Sequence, residues 1–271
     1  MPRPMLARMP ARLWLLAVFA FLYLPLAFML VFSFNSTRQD GRFTGFSLRW
    51  YQALLEDERL ISGLMVSLKV AFLAGLLSTL LGTLIALALA RYRSFVGRTL
   101  FSGMASAPLV MPEVIIGLSL LLFFVGMQNL LGWPQRGVGT IVMGHTLFGM
   151  AYATVVIKAR FEQMDWALEE AALDLGARPH QTFFLVTLPN ASQALLAAFL
   201  LAFTLSFDDV VVAQFLSGPG VSTLPQVVFN YARRGINPTV YAAATLLIAL
   251  LSLGVLVYGS VLAKYLGKPG R

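Results

Sequence analysis

The sequence predicts an all-helical protein that crosses a membrane several times. Of its 271 residues, 58% are hydrophobic and only 12% are charged, whereas about a quarter of a soluble domain is charged. The apolar residues fall in runs of roughly 20 or more, the length that crosses a bilayer as a helix. Because a spanning segment must satisfy its own backbone hydrogen bonds in lipid, each run is expected to be a helix.

Six runs are long enough to span, and together they form one transmembrane domain covering residues 1–271. The first run follows three arginines, as a signal peptide would, but it is longer than a signal peptide's apolar region and lacks a small-x-small cleavage site. We therefore interpret it as an uncleaved span. The predicted spans are 13–34, 64–90, 101–125, 137–157, 191–216 and 240–263.

The distribution of basic residues predicts that both termini are cytoplasmic. With that orientation, 12 of the 20 lysines and arginines lie on the inside, as the positive-inside rule requires. The loop after the second span is the clearest case, since it carries three arginines and no acid. The predicted inside charges are Arg3, Arg8, Arg12, Arg91, Arg93, Arg98, Lys158, Arg160, Arg178, Lys264, Lys268 and Arg271.

The composition also excludes several functions. There is no cysteine, which removes disulfides and thiol chemistry. No phosphate-binding loop occurs, so any ATP and Mg²⁺ are expected on a partner subunit and no cofactor on this chain. Two isolated histidines make no metal site, and no catalytic motif is present. The net charge of +8 forms no basic stripe, so we expect lipid rather than nucleic acid as its partner.

One cytoplasmic loop, residues 158–189, is unusually structured. Its residues 169–175 favour a helix, which Gly176 is expected to end, and Pro179 opposes continuation. A second amphipathic stretch, 181–187, leads to Pro189, which suits a first helical turn before the fifth span. The pattern predicts two short helices with a sharp turn and exposed acids.

This loop resembles the "EAA" motif of permease subunits in binding-protein-dependent ABC importers. The matching residues are Glu170, Ala171 and Ala172, then Gly176, and finally Leu188 and Pro189, with Val186 in place of the family's isoleucine. The resemblance implies the type I ABC importer permease fold and a loop that docks on an ATP-binding subunit. The alternative is an ordinary amphipathic connector on the bilayer. The predicted docking residues are Glu169, Glu170, Ala171, Ala172, Asp174, Gly176 and Pro189.

Further stretches resemble the polyamine branch of this family, and the putrescine system most. They are residues 107–119, 205–211, 218–220 and 223–225. The resemblance implies a second permease subunit, most simply in a heterodimer, two ATP-binding subunits, a periplasmic polyamine-binding protein and a bacterial inner-membrane location. Other substrates within the family, such as iron, sulfate or a sugar, remain open. A secondary transporter or channel that uses intramembrane acids is the alternative outside it.

Three carboxylates, Glu113, Asp208 and Asp209, fall inside predicted spans, where an ionised group costs at least about 2.5 kcal/mol. We interpret them as candidates for a cation path or gate, with Phe207 as an apolar wall; pairing within the protein is the alternative. Adjacent helical residues point about 100° apart, so Asp208 and Asp209 are expected to face different directions.

Two prolines and two arginines complete the candidate set. Pro108 and Pro112 predict a kink or unwound turn in the third span. Arg233 and Arg234 lie in a predicted outer loop, where they would repel a polyamine. We interpret them as contacts for an acidic rim on a binding protein, and a solvated loop is the alternative.

Overall fold

The structure is a computed structural model that describes residues 8–38, 42–92, 94–234 and 238–266. Regular structure in these ranges is helical, apart from one isolated bridge between Asn35 and Phe46. The predicted all-α fold is confirmed. The helices are α1 (Arg8–Phe32), α2 (Arg49–Glu56), α3 (Glu58–Arg91), α4 (Arg98–Val110), α5 (Glu113–Leu131), α6 (Val138–Glu162), α7 (Ala167–Asp174), α8 (Pro179–Thr182), a π-helical turn (Phe183–Thr187), α9 (Leu188–Asn190), α10 (Ser192–Asp208), α11 (Val211–Leu216), α12 (Leu224–Arg233) and α13 (Pro238–Leu266).

The chain divides into two compact units. The terminal unit contains the residues up to Glu58 and those from Asn230 onward, and the central unit runs from Arg59 to Phe229. In the terminal unit, α13 packs on α1 and on α2. The hydroxyl of Tyr231 donates to the Asp57 carboxylate at 2.9 Å, which ties the last turns of α12 to the end of α2.

The central unit is organised around α6, which packs against α4, α10 and α11. Helix α3 also approaches α6 closely, because a Cβ placed on Gly82 would lie 2.7 Å from that of Ala153. Small residues at such contacts let membrane helices pack closely without a hydrophobic driving force. A hydroxyl adds to this contact, since Ser78 donates to the Thr146 carbonyl at 3.3 Å.

Two apolar clusters hold the central unit together. One surrounds α11 and the other lies where α6 meets the start of α10. The first cluster contains Val70, Phe124, Ile141, Val142, Val212, Ala213 and Leu216, and the second contains Ala86, Ala153, Ile157, Phe161, Ala191 and Ala198.

Among the described residues, four helices are long and apolar enough to span a membrane by themselves. They cover Arg12–Phe32, Glu58–Arg91, Glu113–Leu131 and Val138–Glu162. A fifth candidate is a pair of segments, Pro179–Asn190 and Ser192–Asp208, with a 70° bend between them. Helix α13 has 29 residues, or about 44 Å at 1.5 Å per residue. The six-span count and the cytoplasmic placement of the termini stay predictions, and residues 1–7 and 267–271 lie outside the described ranges.

Two of the predicted spans are interrupted. The span predicted over 101–125 ends as α4 at Val110 and resumes as α5 at Glu113, so the break expected from Pro112 is confirmed. Glu113 is consequently the first residue of α5. The span predicted over 191–216 is likewise broken between Asp208 and Val211.

The loop after α11 is packed too tightly to accept a side chain at Gly218. A Cβ there would lie 2.0 Å from the carbonyl oxygen of Arg136, a backbone atom that cannot rotate away. We expect Gly218→Ala to lower the midpoint of thermal unfolding of the purified protein in detergent, with an overpacking cost of about 1–3 kcal/mol. Gly139→Ala is the matched control, because a Cβ there meets nothing within 4 Å. Equal midpoints for the two variants would contradict this packing.

Candidate functional site

A cavity of about 340 Å³ in the central unit gathers the acids singled out in the sequence. Glu113 contributes from α5, and Asp208 and Asp209 contribute from the break after α10. Helix α6 contributes His145, Phe148 and Gly149, and the remaining lining residues are Ala202, Leu205, Ser206, Val210, Val211 and Val212. The structure therefore brings together all three carboxylates predicted to interact with a cation.

Both helix breaks open onto this cavity. Asp208 ends α10, and Asp209 follows with extended backbone (φ −67°, ψ 132°), so their side chains no longer obey helical spacing. Both aspartates line the cavity, and the prediction that they face different directions, which assumed a continuous helix, stays a prediction. Irregular backbone at membrane depth is tolerated where it lines a cavity, which is what is found here.

The Asp209 carboxylate is fully engaged by the protein. It accepts hydrogen bonds from the backbone N–H groups of Val212 at 3.4 Å and Ala213 at 2.8 Å, the pattern of a side chain that caps a helix start. It also lies 3.1 Å from Nε2 of His145. Asp209 thus stabilises the break by satisfying N–H groups that begin α11.

His145, an isolated histidine for which the sequence favours packing or a hydrogen bond to another helix, makes such bonds in the cavity. Its Nδ1 lies 2.6 Å from the Ser206 hydroxyl, and its side chain is only 3% exposed. Since an ionised carboxylate only accepts hydrogen bonds, Nε2 carries a proton and donates to Asp209. An intramembrane acid that needs a partner, in a chain with few basic residues in its spans, is the signal that could have linked the two.

Glu113 and Asp208 differ from Asp209 in their surroundings. Both are exposed to the cavity. Within the described residues, neither carboxylate forms a hydrogen bond or ion pair with another residue. The cavity therefore presents two acceptor groups that the protein itself does not use.

Phe207 does not lie where it was predicted. It stacks on Phe203 with ring centroids 5.9 Å apart, and it is not one of the residues that line the cavity. Phe148 from α6 provides the aromatic surface there instead. The sequence could not show this because both phenylalanines lie in apolar helices with no polar pattern to distinguish them.

The second candidate site is the docking segment, defined as residues 167–190. Helix α7 ends in a left-handed residue, Gly176 (φ 88°), and the N–H of Ala177 reaches the Ala172 carbonyl at 3.0 Å. This hydrogen bond belongs to a Schellman motif, the helix end that a glycine at this position predicts. Pro179 follows Arg178 and occupies the first turn of α8, a position where a helix tolerates proline. The predicted pair of short helices with a sharp turn is confirmed.

Glu169 corrects the prediction that the acids of this segment are exposed. It is only 3% exposed, and its two oxygens bind Arg91 (2.5 Å) and the Thr187 hydroxyl. A direct docking contact through Glu169 does not fit this geometry. The other predicted docking residues are accessible: Ala172 is half-buried, and Glu170, Ala171, Asp174, Gly176 and Pro189 are exposed.

Arg233 and Arg234 belong to the terminal unit. Arg233 ends α12 and Arg234 follows it in a turn, and both are exposed. Their predicted contact with a binding protein stays a prediction.

An all-helical chain with long apolar helices, a polar cavity at two helix breaks and a structured docking segment has the features of a membrane permease. The chain belongs to the family of binding-protein-dependent transport system inner membrane components, whose model matches residues 78–267. It is therefore a permease subunit of an ABC importer in the inner membrane, and it is not itself an enzyme.

Two relatives place it more closely. The putrescine transport system permease protein PotI of Escherichia coli (strain K12) is 45% identical over 248 residues, which cover 91% of this chain and 88% of the relative. The spermidine/putrescine transport system permease protein PotC of the same strain is 36% identical, covering 92% and 91%.

Solved structures show the same fold. A chain of a bacterial ABC transporter involved in the import of the acidic polysaccharide alginate superposes with a TM-score of 0.71 at 15% identity, covering 98% of this chain and all of the other. A chain from the alginate transporter in complex with its pentasaccharide-bound periplasmic protein gives a TM-score of 0.72 at 17% identity, covering 98% and 95%. The predicted ABC importer permease fold is confirmed.

The geometry separates the roles of the two neighbouring aspartates. Because Asp209 caps α11 and holds His145, we expect Asp209→Ala to lower the thermal midpoint in detergent, with a cost of about 0.5–2 kcal/mol from the cap alone. Asp208→Ala removes a carboxylate without a partner and should leave the midpoint unchanged. Equal loss of stability in both variants would contradict the capping role.

Proposed function

We propose that this chain forms half of the transmembrane path of an ATP-driven polyamine importer, with putrescine as the first candidate substrate. The observation that carries the proposal is the cavity with two exposed carboxylates, Glu113 and Asp208, that pair with no other residue in the described part of the chain. Its volume of about 340 Å³ lies at the small end of ligand pockets, as suits a short molecule. The 45% identity to a putrescine permease supports the same substrate class.

The charges of the cavity favour a cation with two ends. Asp209 receives two backbone N–H groups and His145, so its acceptor capacity is largely used. Glu113 at the start of α5 and Asp208 at the end of α10 remain, and each can accept an ammonium group. The apolar lining from Leu205 and Phe148 suits the hydrocarbon stem that joins the two ends.

We further propose that the docking segment transmits motion from an ATP-binding subunit. Its exposed face carries Glu170, Ala171 and Asp174, so small and acidic side chains are available to a partner surface. The segment leads through the π-helical turn into α10, the helix whose end lines the cavity. A shift of the docking segment can therefore reach Asp208 and Asp209 in the cavity through α10.

The proposed assembly contains this chain, a second permease subunit, two ATP-binding subunits that hold ATP and Mg²⁺, and a periplasmic polyamine-binding protein. ATP binding would close the ATP-binding subunits and turn the path outward, where the binding protein releases its substrate. Hydrolysis would return it inward. The two states interconvert because each ligand binds one of them more tightly. Arg233 and Arg234 are the proposed contacts for the binding protein.

Two alternatives are tested by the same assay. The alginate transporters share the fold, so the fold alone does not select the substrate. A secondary transporter would use the acids as an ion relay. Purified complex in proteoliposomes with its binding protein should show ATPase stimulation by putrescine or spermidine. Stimulation by sulfate, iron or a sugar alone would contradict the substrate, and uptake that persists without ATP would contradict the mechanism.

Asp208→Asn and Glu113→Gln test the role of the cavity in that assay. Each removes the charge from one ammonium site, and a charge-assisted hydrogen bond of about 1.5 kcal/mol corresponds to roughly tenfold in rate. We therefore expect about tenfold slower putrescine uptake at normal protein levels. Glu162→Gln is the control, since that exposed acid only pairs with Lys158 on the surface. Unchanged uptake in both cavity variants would remove these acids from the path.

Glu170→Lys tests the docking segment. Glu170 is exposed in the first turn of α7, so reversing its charge alters the partner-facing surface and leaves the Glu169 contacts in place. We expect uptake to be abolished while the protein stays in the membrane and the ATP-binding subunit no longer copurifies. Normal uptake by this variant would count against the docking assignment.

A further inference from the structure

Helix α7 is attached to the rest of the central unit in an unusual way. Of its eight residues, all of them described, the single buried one is Glu169. Apolar residues on this helix, such as Leu168 and Leu173, are exposed. The helix therefore lacks the buried apolar face that normally fixes a short amphipathic helix to its protein.

The Glu169 carboxylate replaces that face with two polar attachments. One oxygen binds Arg91 at the last turn of α3, and the other accepts from the hydroxyl of Thr187, which is fully buried in the π-helical turn. The Arg91 guanidinium also lies 5.6 Å from the ring centre of Trp166, just before α7. One buried carboxylate thus joins three segments that lie 78 and 18 residues apart in sequence.

The ion pair in the last turns of α6 differs from the pair between Arg91 and Glu169. Lys158 and Glu162 are 3.3 Å apart, but they lie one turn apart on the same helix and their side chains are 34% and 55% exposed. Such a pair contributes little and connects nothing distant. In the Arg91–Glu169 pair the Arg91 side chain is 43% exposed and the Glu169 side chain only 5%, so the loss of Arg91 leaves an uncompensated buried charge.

We infer that Glu169 and Arg91 are positioning residues that couple the docking segment to α3, and that Glu169 contacts no partner subunit. The inference rests on the proposed docking function. Movement of α7 reaches α10 through the chain itself, and the Arg91–Glu169 pair adds a second route, into the long helix α3. Thr187 attaches the π-helical turn to the same Glu169 carboxylate.

A double-mutant cycle on the assembled transporter tests this inference. Arg91→Gln, Glu169→Gln and the double variant are compared by the ratio of binding-protein-stimulated to basal ATPase activity. Each single variant should lower the ratio about two- to thirtyfold, the range for residues that couple distant sites. The double variant should be no worse than the poorer single variant, since the same link is broken. Arg91→Lys, which keeps the charge, should retain most of the ratio.

Two results would overturn the inference. Independent, multiplying effects of the single variants would show that the residues do not act as a pair. Loss of the ATP-binding subunit from the purified Glu169→Gln complex would show that Glu169 is a contact residue. Glu162→Gln is the matched control and should leave the ratio unchanged, since its pair is exposed.

A spin label gives a readout that does not depend on the substrate. The chain has no cysteine, so Leu168→Cys, at an exposed position next to Glu169, can be labelled specifically. The label should become more mobile in Glu169→Gln and in Arg91→Gln and should be unaffected in Glu162→Gln. An unchanged spectrum in the first two variants would overturn the inference. The Glu170→Lys variant tests the proposed docking function, whereas the spin label tests the link between Glu169 and Arg91. Failure of one proposal can therefore be told apart from failure of the other.

Discussion

Helix breaks inside an apolar environment must satisfy the backbone groups that they free, and the central unit depends on how this is done. At the first break, Pro112 has no N–H to leave unpaired, and its carbonyl accepts from Ile115 and Ile116. At the second, the Asp209 carboxylate accepts the N–H groups that begin α11 and is oriented by His145. Because both breaks are stabilised in this way, the start of α5 and the end of α10 can both contribute carboxylates to one polar cavity.

The same principle explains why three carboxylates in one cavity have different roles. The Asp209 carboxylate is occupied within the protein, because the N–H groups of Val212 and Ala213 and the ring of His145 bind to its oxygens. In the described part of the chain, Glu113 and Asp208 receive no hydrogen bond from another residue, and both are exposed to the cavity. Asp209 stabilises the helix break, and Glu113 and Asp208 face the cavity. The shape of the site therefore does not depend on whether a cation is bound. In the proposed function, that preorganisation reduces the cost of binding.

A buried carboxylate also determines how the docking segment is held. Helix α7 is too short and too exposed to be fixed by apolar packing, and Glu169 attaches it through Arg91 and Thr187. Its neighbour Glu170 points to the exposed side. Two adjacent glutamates in one motif thus have opposite surroundings, which explains how a segment can be both firmly attached and open to a partner.

Composition and motif spacing by themselves determined the helical membrane fold, the Gly176 stop, the break at Pro112 and the family of the chain. These follow from local rules, because apolar length, glycine and proline act on their own segment. Local patterns did not identify Ser206 and Asp209 as the partners of His145, and they wrongly predicted that Glu169 is exposed. Those outcomes depend on residues 61 to 78 positions away. Only the tertiary structure brings such residues together, and it decides which carboxylate finds a donor and which is left for a ligand.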